Sequence, residues 1–220
     1  MILGIYGSGG AGRETKDIAE TVNAITGRWE QILFIDDVAP AGARAGLERI
    51  GFKELCGRVP PDTAVITIAV GEPADRKKLA ARVLEKGYRL ESIVSPLASV
   101  SPDSSISPGA VVYPGVFIGP GCVIGGNCFI MSGVAVCHDS ALGSHSVCAC
   151  GVKIAGNCLI GESAYLGLNA CVKEKTTIGG ESIVGMGAVV MSDVPSGVIV
   201  CGIPACIIKN NTEKKVFKKA

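Results

Sequence analysis

The sequence predicts two unlike parts, a small α/β domain built on a parallel sheet and then an all-β parallel β-helix. Three observations carry this. From Val94 to Val190 every sixth residue is aliphatic, with Cys148 the one departure. Before about residue 92, apolar strand-like runs alternate with helix-like stretches instead. Hydrophobic residues make up 48% of the 220-residue chain, aromatics only 5%, and glycines number 30; narrow aliphatic interiors joined by tight turns need that balance. A six-residue period suits neither an α-helix nor a plain strand. It suits hexapeptide repeats, each a short strand plus a turn, wound into a parallel β-helix.

The elements follow in order. Ile2 to Tyr6 reads as a strand running into Gly7-Ser8-Gly9-Gly10-Ala11-Gly12. A helix is predicted from Arg13 to Ile25 and a second strand from Gln31 to Ile35, ending at Asp36-Asp37. A third strand runs from Ala64 to Val70 and ends at Gly71. Pro73 suits the first turn of a helix, which continues to about Lys86 with Gly87 as its cap. Strands alternating with helices imply a small parallel sheet with βαβ crossovers. The predicted division is residues 1–92, a β-helix over 93–208, and a Lys-rich polar tail over 209–220 read as a solvated, frayed end. Three hexads make one triangular coil, so residues eighteen apart stack.

Composition limits the function classes. A net charge of +1 argues against nucleic acid as a partner. No run approaches the ~20 apolar residues of a membrane span, and no signal peptide is apparent, so a soluble, cytoplasmic protein is expected. The ten cysteines contain no C-x-x-C pair. Cys122, Cys128 and Cys158 fall two residues before an aliphatic hexad position, in the slot that Ala110, Ala164, Ala170 and Ala188 fill elsewhere. They read as small core fillers. No metal is expected; a zinc carbonic-anhydrase-like β-helix needs three histidines, and this chain has two.

Gly7-x-Gly9-x-x-Gly12 after a strand and before a helix offers backbone N–H groups to a phosphate. Asp36 lies near the position of a ribose-binding acid. A dinucleotide, a mononucleotide or nucleotide sugar, or a tight turn with no ligand all fit the pattern; the short domain favours the smaller ligand. His138 follows the inward Val136 by two residues, so it points outward or sits at a corner, with Asp139 beside it. One coil on lies Gly156; one coil back lies Pro120. A histidine oriented by a carboxylate can act as a general base, and a stacked glycine leaves room for a ligand and bares an N–H for an oxyanion. A surface histidine above a turn glycine is the plainer alternative.

The chain resembles a known family over nearly its whole length. The matching segments are Ile5-Tyr6-Gly7-Ser8-Gly9-Gly10-Ala11-Gly12, Phe34-Ile35-Asp36-Asp37, Ile68-Ala69-Val70-Gly71 with Arg76, His138-Asp139, Ala155-Gly156-Asn157, Leu166-Gly167-Leu168-Asn169 and Gly202-Ile203-Pro204-Ala205. It is similar to the hexapeptide-repeat sugar acetyltransferases that include sialic acid O-acetyltransferase and UDP-N-acetylbacillosamine N-acetyltransferase. The resemblance implies a Rossmann-like N-terminal domain that binds a nucleotide sugar, joined to a left-handed β-helix. It also implies a homotrimer using acetyl-CoA at sites between neighbouring subunits. His138 would be the general base and Asp139 the acid that tunes it. Gly156, Leu168, Met186 and Val147 match positions at the acetyl-CoA groove, and Gly9, Gly10, Ala11, Asp36, Asp37 and Gly71 match positions that hold the nucleotide sugar. The implied reaction is N-acetylation of a UDP-4-amino sugar for surface glycan synthesis; O-acetylation of sialic acid or a related sugar is the alternative. This chain departs from the family at Ala11 and Val147, where histidines are usual, and at Cys206, where Lys or Arg is usual.

Overall fold

A computed structural model describes residues 1–217; the last three residues of the predicted tail, 218–220, lie outside the described residues. The α/β part comprises β1 (Ile2–Tyr6), α1 (Gly10–Thr26), β2 (Gln31–Ile35), β3 (Gly42–Arg44), β4 (Leu47–Ile50), α2 (Phe52–Arg58), β5 (Ala64–Ile68), α3 (Pro73–Glu85) and β6 (Arg89–Leu90). The sheet order is β3-β4-β2-β1-β5-β6. Every pairing is parallel except the β3–β4 hairpin. β1 is central because both its faces are buried: Leu3 and Ile5 on one and Tyr6 on the other. α1 starts three residues earlier than the sequence suggests, since the Arg13 N–H donates to the Gly9 carbonyl and draws the glycines into the first turn. Gly27 ends it in the left-handed conformation, with φ of 59°. The exposed β3 carries no apolar alternation, so the hairpin has no sequence signal.

From Ile93–Val94 to Val189–Val190, two-residue strands recur every six residues. Each pairs in parallel with the strand one coil on, as in Val111↔Phe129, Phe117↔Ala135 and Val123↔Ala141. Three flat sheets result, closed into a triangular prism. The aliphatic column is buried from Val112 to Val190. The slot two residues earlier is buried as well; Cys122, Cys128 and Cys158 are 1%, 0% and 0% exposed and fill the core as predicted. Ser140 and Ser182 share that slot, and their hydroxyls donate to the carbonyls of Ala155 (3.0 Å) and Pro195 (2.6 Å), so no polar cost is left. An antiparallel hairpin, Val198–Gly202 with Ala205–Asn210, closes the prism.

The tail expected to fray is docked, which corrects the sequence reading. The Asn211 side-chain amide donates to the Glu181 carbonyl at 2.8 Å, and Lys214 pairs with the Glu181 carboxylate at 2.9 Å. One oxygen of the buried Glu72 accepts the N–H groups of both Val216 and Phe217 at 2.9 Å. The Phe217 ring meets Tyr165 edge-on at 5.6 Å. Tail composition alone reads as solvated; the acceptor that holds it lies 144 residues earlier.

Arg76 joins the two parts. It sits on α3 with 0% exposure. Its guanidinium donates to the carbonyls of Ile68 (2.7 Å) and Asn127 (2.8 Å) and to Asn127 Oδ1 (2.7 Å), and lies 4.8 Å from the Phe129 ring centre. Burial pushes its pKa down to about 9, so it still carries its charge at neutral pH. The Asn127 amide in turn donates to the Arg76 carbonyl (3.1 Å) and meets His145 Nδ1 at 3.0 Å. Because Asn127 Oδ1 already accepts from Arg76, its amide nitrogen must donate, and His145 Nδ1 must be the acceptor. His145 therefore belongs to this joint.

Arg76→Ala strands several buried carbonyls; each lost partner costs about 1–3 kcal/mol. Denaturant unfolding is expected to lose about 3–5 kcal/mol in total. His145 titrates against its position: burial lowers its pKa below 6.5, Arg76 and Lys77 lower it further, and Glu162 opposes them. Above the unfolded-state value its contribution to stability is complete; as pH falls below about 6.5 the unfolded chain binds the proton first and stability declines. Unfolding followed from pH 8 to 5 (about neutral to mildly acid, spanning the imidazole range) is expected to show this decline in the wild type and a smaller one in His145→Gln.

Candidate active site

A cleft of about 590 Å³ opens at the carboxyl ends of β1, β2 and β5. In an open parallel sheet this is where ligands bind. Gly9, Gly10, Ala11, Asp36, Asp37 and Gly71 all line it. The glycines divide into two kinds. A side chain on Gly12 would collide with the Gly7 carbonyl, so that glycine lets α1 pack on β1. Gly9 and Gly10 have open space where a Cβ would stand and face the cleft with the first turn of α1.

The two carboxylates shape the cleft wall. Asp36 Oδ2 accepts from the Ser8 hydroxyl (2.5 Å) and N–H (3.1 Å), and Oδ1 accepts the Val38 and Ala39 N–H groups at 3.0 Å. Partial burial raises the Asp36 pKa, but these hydrogen bonds outweigh it and hold the carboxyl below its ordinary value. Asp37 accepts from the Tyr6 hydroxyl (2.6 Å), the Phe52 N–H (2.8 Å) and Arg82. Burial again pushes up, and the Tyr6, Phe52 and Arg82 contacts again win, holding the Asp37 carboxyl below its ordinary value. Burial, reinforced by Asp37, pushes the Tyr6 phenol up, so it stays a donor. Tyr6, Lys78 and Arg82 also line the cleft, and the sequence reading did not single them out. The signal available was spacing: Lys78 and Arg82 are four apart on the helix that starts at Pro73, hence on one face. They supply cations to a wall otherwise carrying Asp36, Asp37 and Asp75.

His138 stands at the corner between the strands Ala135–Val136 and Ala141–Leu142, its side chain 57% exposed. Asp139 adopts φ of 57°, a turn conformation that swings its carboxylate back. Its Oδ2 lies 2.9 Å from His138 Nδ1. The paired ring nitrogen leaves Nε2 to face outward from the Asp139 contact. The other side of the ring rests on Gly156: a Cβ there would lie 2.5 Å from both Cε1 and Nε2. The stacking of residues eighteen apart thus brings His138, Asp139 and Gly156 together. Ala155 and Asn157 donate their N–H groups to the carbonyls of Val172 and His138, while among the described residues the Gly156 N–H has no acceptor.

Leu168 and Met186 lie one coil apart at the preceding corner, 44% and 76% exposed, forming an apolar ridge. Val147 does not share that ridge. It is 1% exposed, stacked between Phe129 and Tyr165 on the sheet that the α/β domain and the tail cover. In a single chain, the cleft lining does not include His138, and His138 and the Leu168–Met186 ridge occupy opposite edges of one sheet. Among the described residues, no group of three or more His, Cys, Asp or Glu side chains is placed to hold a metal ion, and no helix is long and apolar enough to cross a membrane.

Comparison with known proteins gives a consistent picture. Residues 3–83 match the family described as the PglD N-terminal domain. No curated protein matches the chain. Among solved structures, the acetyltransferase domain of PglB from Neisseria gonorrhoeae is 30% identical, with 94% of this chain and 99% of that chain covered and a TM-score of 0.88. The same domain in complex with acetyl coenzyme A matches at 30% identity, with coverages of 94% and 98% and a TM-score of 0.79. A variant of perosamine N-acetyltransferase from Caulobacter crescentus, in complex with CoA and GDP-perosamine, is 28% identical over 96% of this chain and 98% of that chain, with a TM-score of 0.88. With its α/β domain set on a left-handed β-helix and these matches along almost its full length, the chain belongs to the hexapeptide-repeat sugar acetyltransferases.

Proposed function

We propose that this protein transfers the acetyl group of acetyl-CoA to the amino group of a nucleotide-activated amino sugar, with a UDP-4-amino sugar as the first choice of acceptor. The observation that carries the reading is the outward-facing His138, oriented by Asp139 and resting on Gly156. In this reading the cleft at Gly9, Gly10, Ala11, Asp36, Asp37 and Gly71 holds the nucleotide sugar, and Leu168 and Met186 flank the pantetheine arm of acetyl-CoA. Val147, buried under the α/β domain and the tail, takes no part in that groove.

The mechanism needs only groups of this chain. His138 Nε2 accepts a proton from the sugar amine as its nitrogen attacks the thioester carbonyl carbon. Asp139 keeps the proton of Nδ1 in place and stabilises the imidazolium that forms. The Gly156 N–H donates to the carbonyl oxygen as negative charge grows there. His138 then returns its proton to the departing thiolate. Direct transfer needs no covalent intermediate: Cys137 precedes His138 and is half-buried, but the imidazole pairs with Asp139 and not with that thiol.

A homotrimer completes the site. One sheet of the prism is covered by the α/β domain and tail, but the two sheets meeting at the His138 corner expose Phe117, Val123 and Leu159 at 45%, 52% and 54%. Burying such apolar residues between copies of the chain is favourable, and it sets the ridge of one subunit against His138 of the next. The pathway in this reading is cytoplasmic and feeds surface glycan synthesis.

His138→Ala is expected to lower kcat by about 10²–10⁴-fold with folding intact. Gly156→Ala pushes the ring off its seat, and a displacement of about 1 Å is expected to lower kcat by about 10²-fold. Both are read by steady-state kinetics on UDP- and GDP-linked amino sugars, with sialic acids as controls. Full turnover by His138→Ala on its best acceptor would overturn the general-base assignment. Turnover of sialic acids alone would replace amine transfer with O-acetylation.

A further inference from the structure

We propose that Cys201 and Cys206 form a thiol–disulfide site at the closing hairpin, which joins reversibly into a cross-strand disulfide. The two residues are direct partners in the antiparallel pairing of Val198–Gly202 with Ala205–Asn210. Direct partners in an antiparallel ladder have Cα atoms about 4.5–5.5 Å apart, and their side chains lie on one face. A disulfide requires about 4.4–6.8 Å, so the spacing of directly paired strand residues suits the bond. Both residues are exposed and free. The other cysteines of the chain do not combine these conditions. Cys122, Cys128, Cys148 and Cys158 are buried in the prism; Cys137, Cys150 and Cys171 are half-buried; Cys56 is exposed but lies on α2, far along the chain.

Local packing restricts where the pair can react. Cys201 Sγ fills the space beside Gly185, and Cys206 Sγ lies 3.7 Å from the Pro204 carbonyl. The loop between them is Gly202-Ile203-Pro204-Ala205, so the ring closed by the bond is short and needs no long-range rearrangement. A thiol buried with no room is inert; Cys201 and Cys206 are exposed residues paired on the same side of a hairpin.

The oxidant is a small-molecule disulfide such as glutathione disulfide. One protein thiolate attacks a glutathione sulfur, forms a mixed disulfide and releases one glutathione thiolate. The second protein thiolate attacks the protein sulfur of that mixed disulfide and expels the second glutathione. Two protein thiols are oxidised, one small disulfide is reduced to two thiols, and the two protons of the cysteines pass to the released thiolates.

The proposal does not depend on the acetyltransferase reading, since the test reads mass and not turnover. The reduced, full-length protein is equilibrated with glutathione and glutathione disulfide over a range of ratios and analysed by intact mass and peptide mapping. The expected result is loss of two hydrogens, mapped to a peptide linking Cys201 to Cys206 and reversed by dithiothreitol. Cys201→Ser and Cys206→Ser are each expected to collect a single glutathione adduct at the remaining thiol instead. Wild-type protein that carries only glutathione adducts, stays fully reduced at every ratio, or links other cysteines or two chains would overturn the proposal.

Discussion

A guanidinium with no carboxylate partner among the described residues, held at the seam between two architectures, is the constraint on which the rest of the structure depends. Arg76 enters from α3 and is neutralised by carbonyl dipoles from its own domain and from the prism. Burying a charge is costly unless its hydrogen bonds are all met. That makes the seam nearly all-or-none: the carbonyls of Ile68 and Asn127 satisfy Arg76 only when α3 and the prism are docked in one orientation. The same geometry fixes the mouth of the cleft, because α3 carries Lys78 and Arg82 as well as Arg76. Asn127 closes the loop by returning a hydrogen bond to the Arg76 backbone, so the seam is locked from both sides.

The prism works by a different rule. Its strands are two residues long and gain little individually; their order comes from stacking identical neighbours. Two inward slots per hexad, one aliphatic and one small, leave space only for small residues in the second. Alanine, cysteine, serine and valine all serve there, with the hydroxyls and thiols turned onto carbonyls one coil on. The stack carries corners upward in register, and that register sets His138 over Gly156.

This division explains what the sequence made legible. The prism was readable because its contacts repeat at a fixed separation: counting eighteen residues was enough to find Gly156 beside His138 and to place the thiols inside. Of the six cleft-lining positions, spacing alone pointed to the Gly-rich turn and Asp36; the rest came from the family resemblance, and the structure sets all six around one cleft at the strand ends. The roles of single residues there were less legible. Asp36 reads as a ribose ligand, yet one oxygen is occupied by the turn that follows it, through Val38 and Ala39, and the other by Ser8, 28 residues earlier. His145 sits two positions before Val147, but its partner, Asn127, and its partner's partner, Arg76, meet only in three dimensions. The tail misled for the same reason, since Glu72 binds it from the far side of the chain. Periodic order can be seen in one dimension; a single acceptor waiting at a distance cannot.

The loop between β1 and α1 is tied down by Asp36 before any ligand arrives. Three backbone amides and one hydroxyl converge on that single carboxylate. Ordering entropy is therefore spent during folding, not on encounter, and a phosphate would meet a cradle already in its final shape. In the proposed reading, recognition at this cleft is accordingly rapid and only weakly dependent on temperature-driven loop motion, with discrimination resting on the fit of the sugar and base against rigid walls.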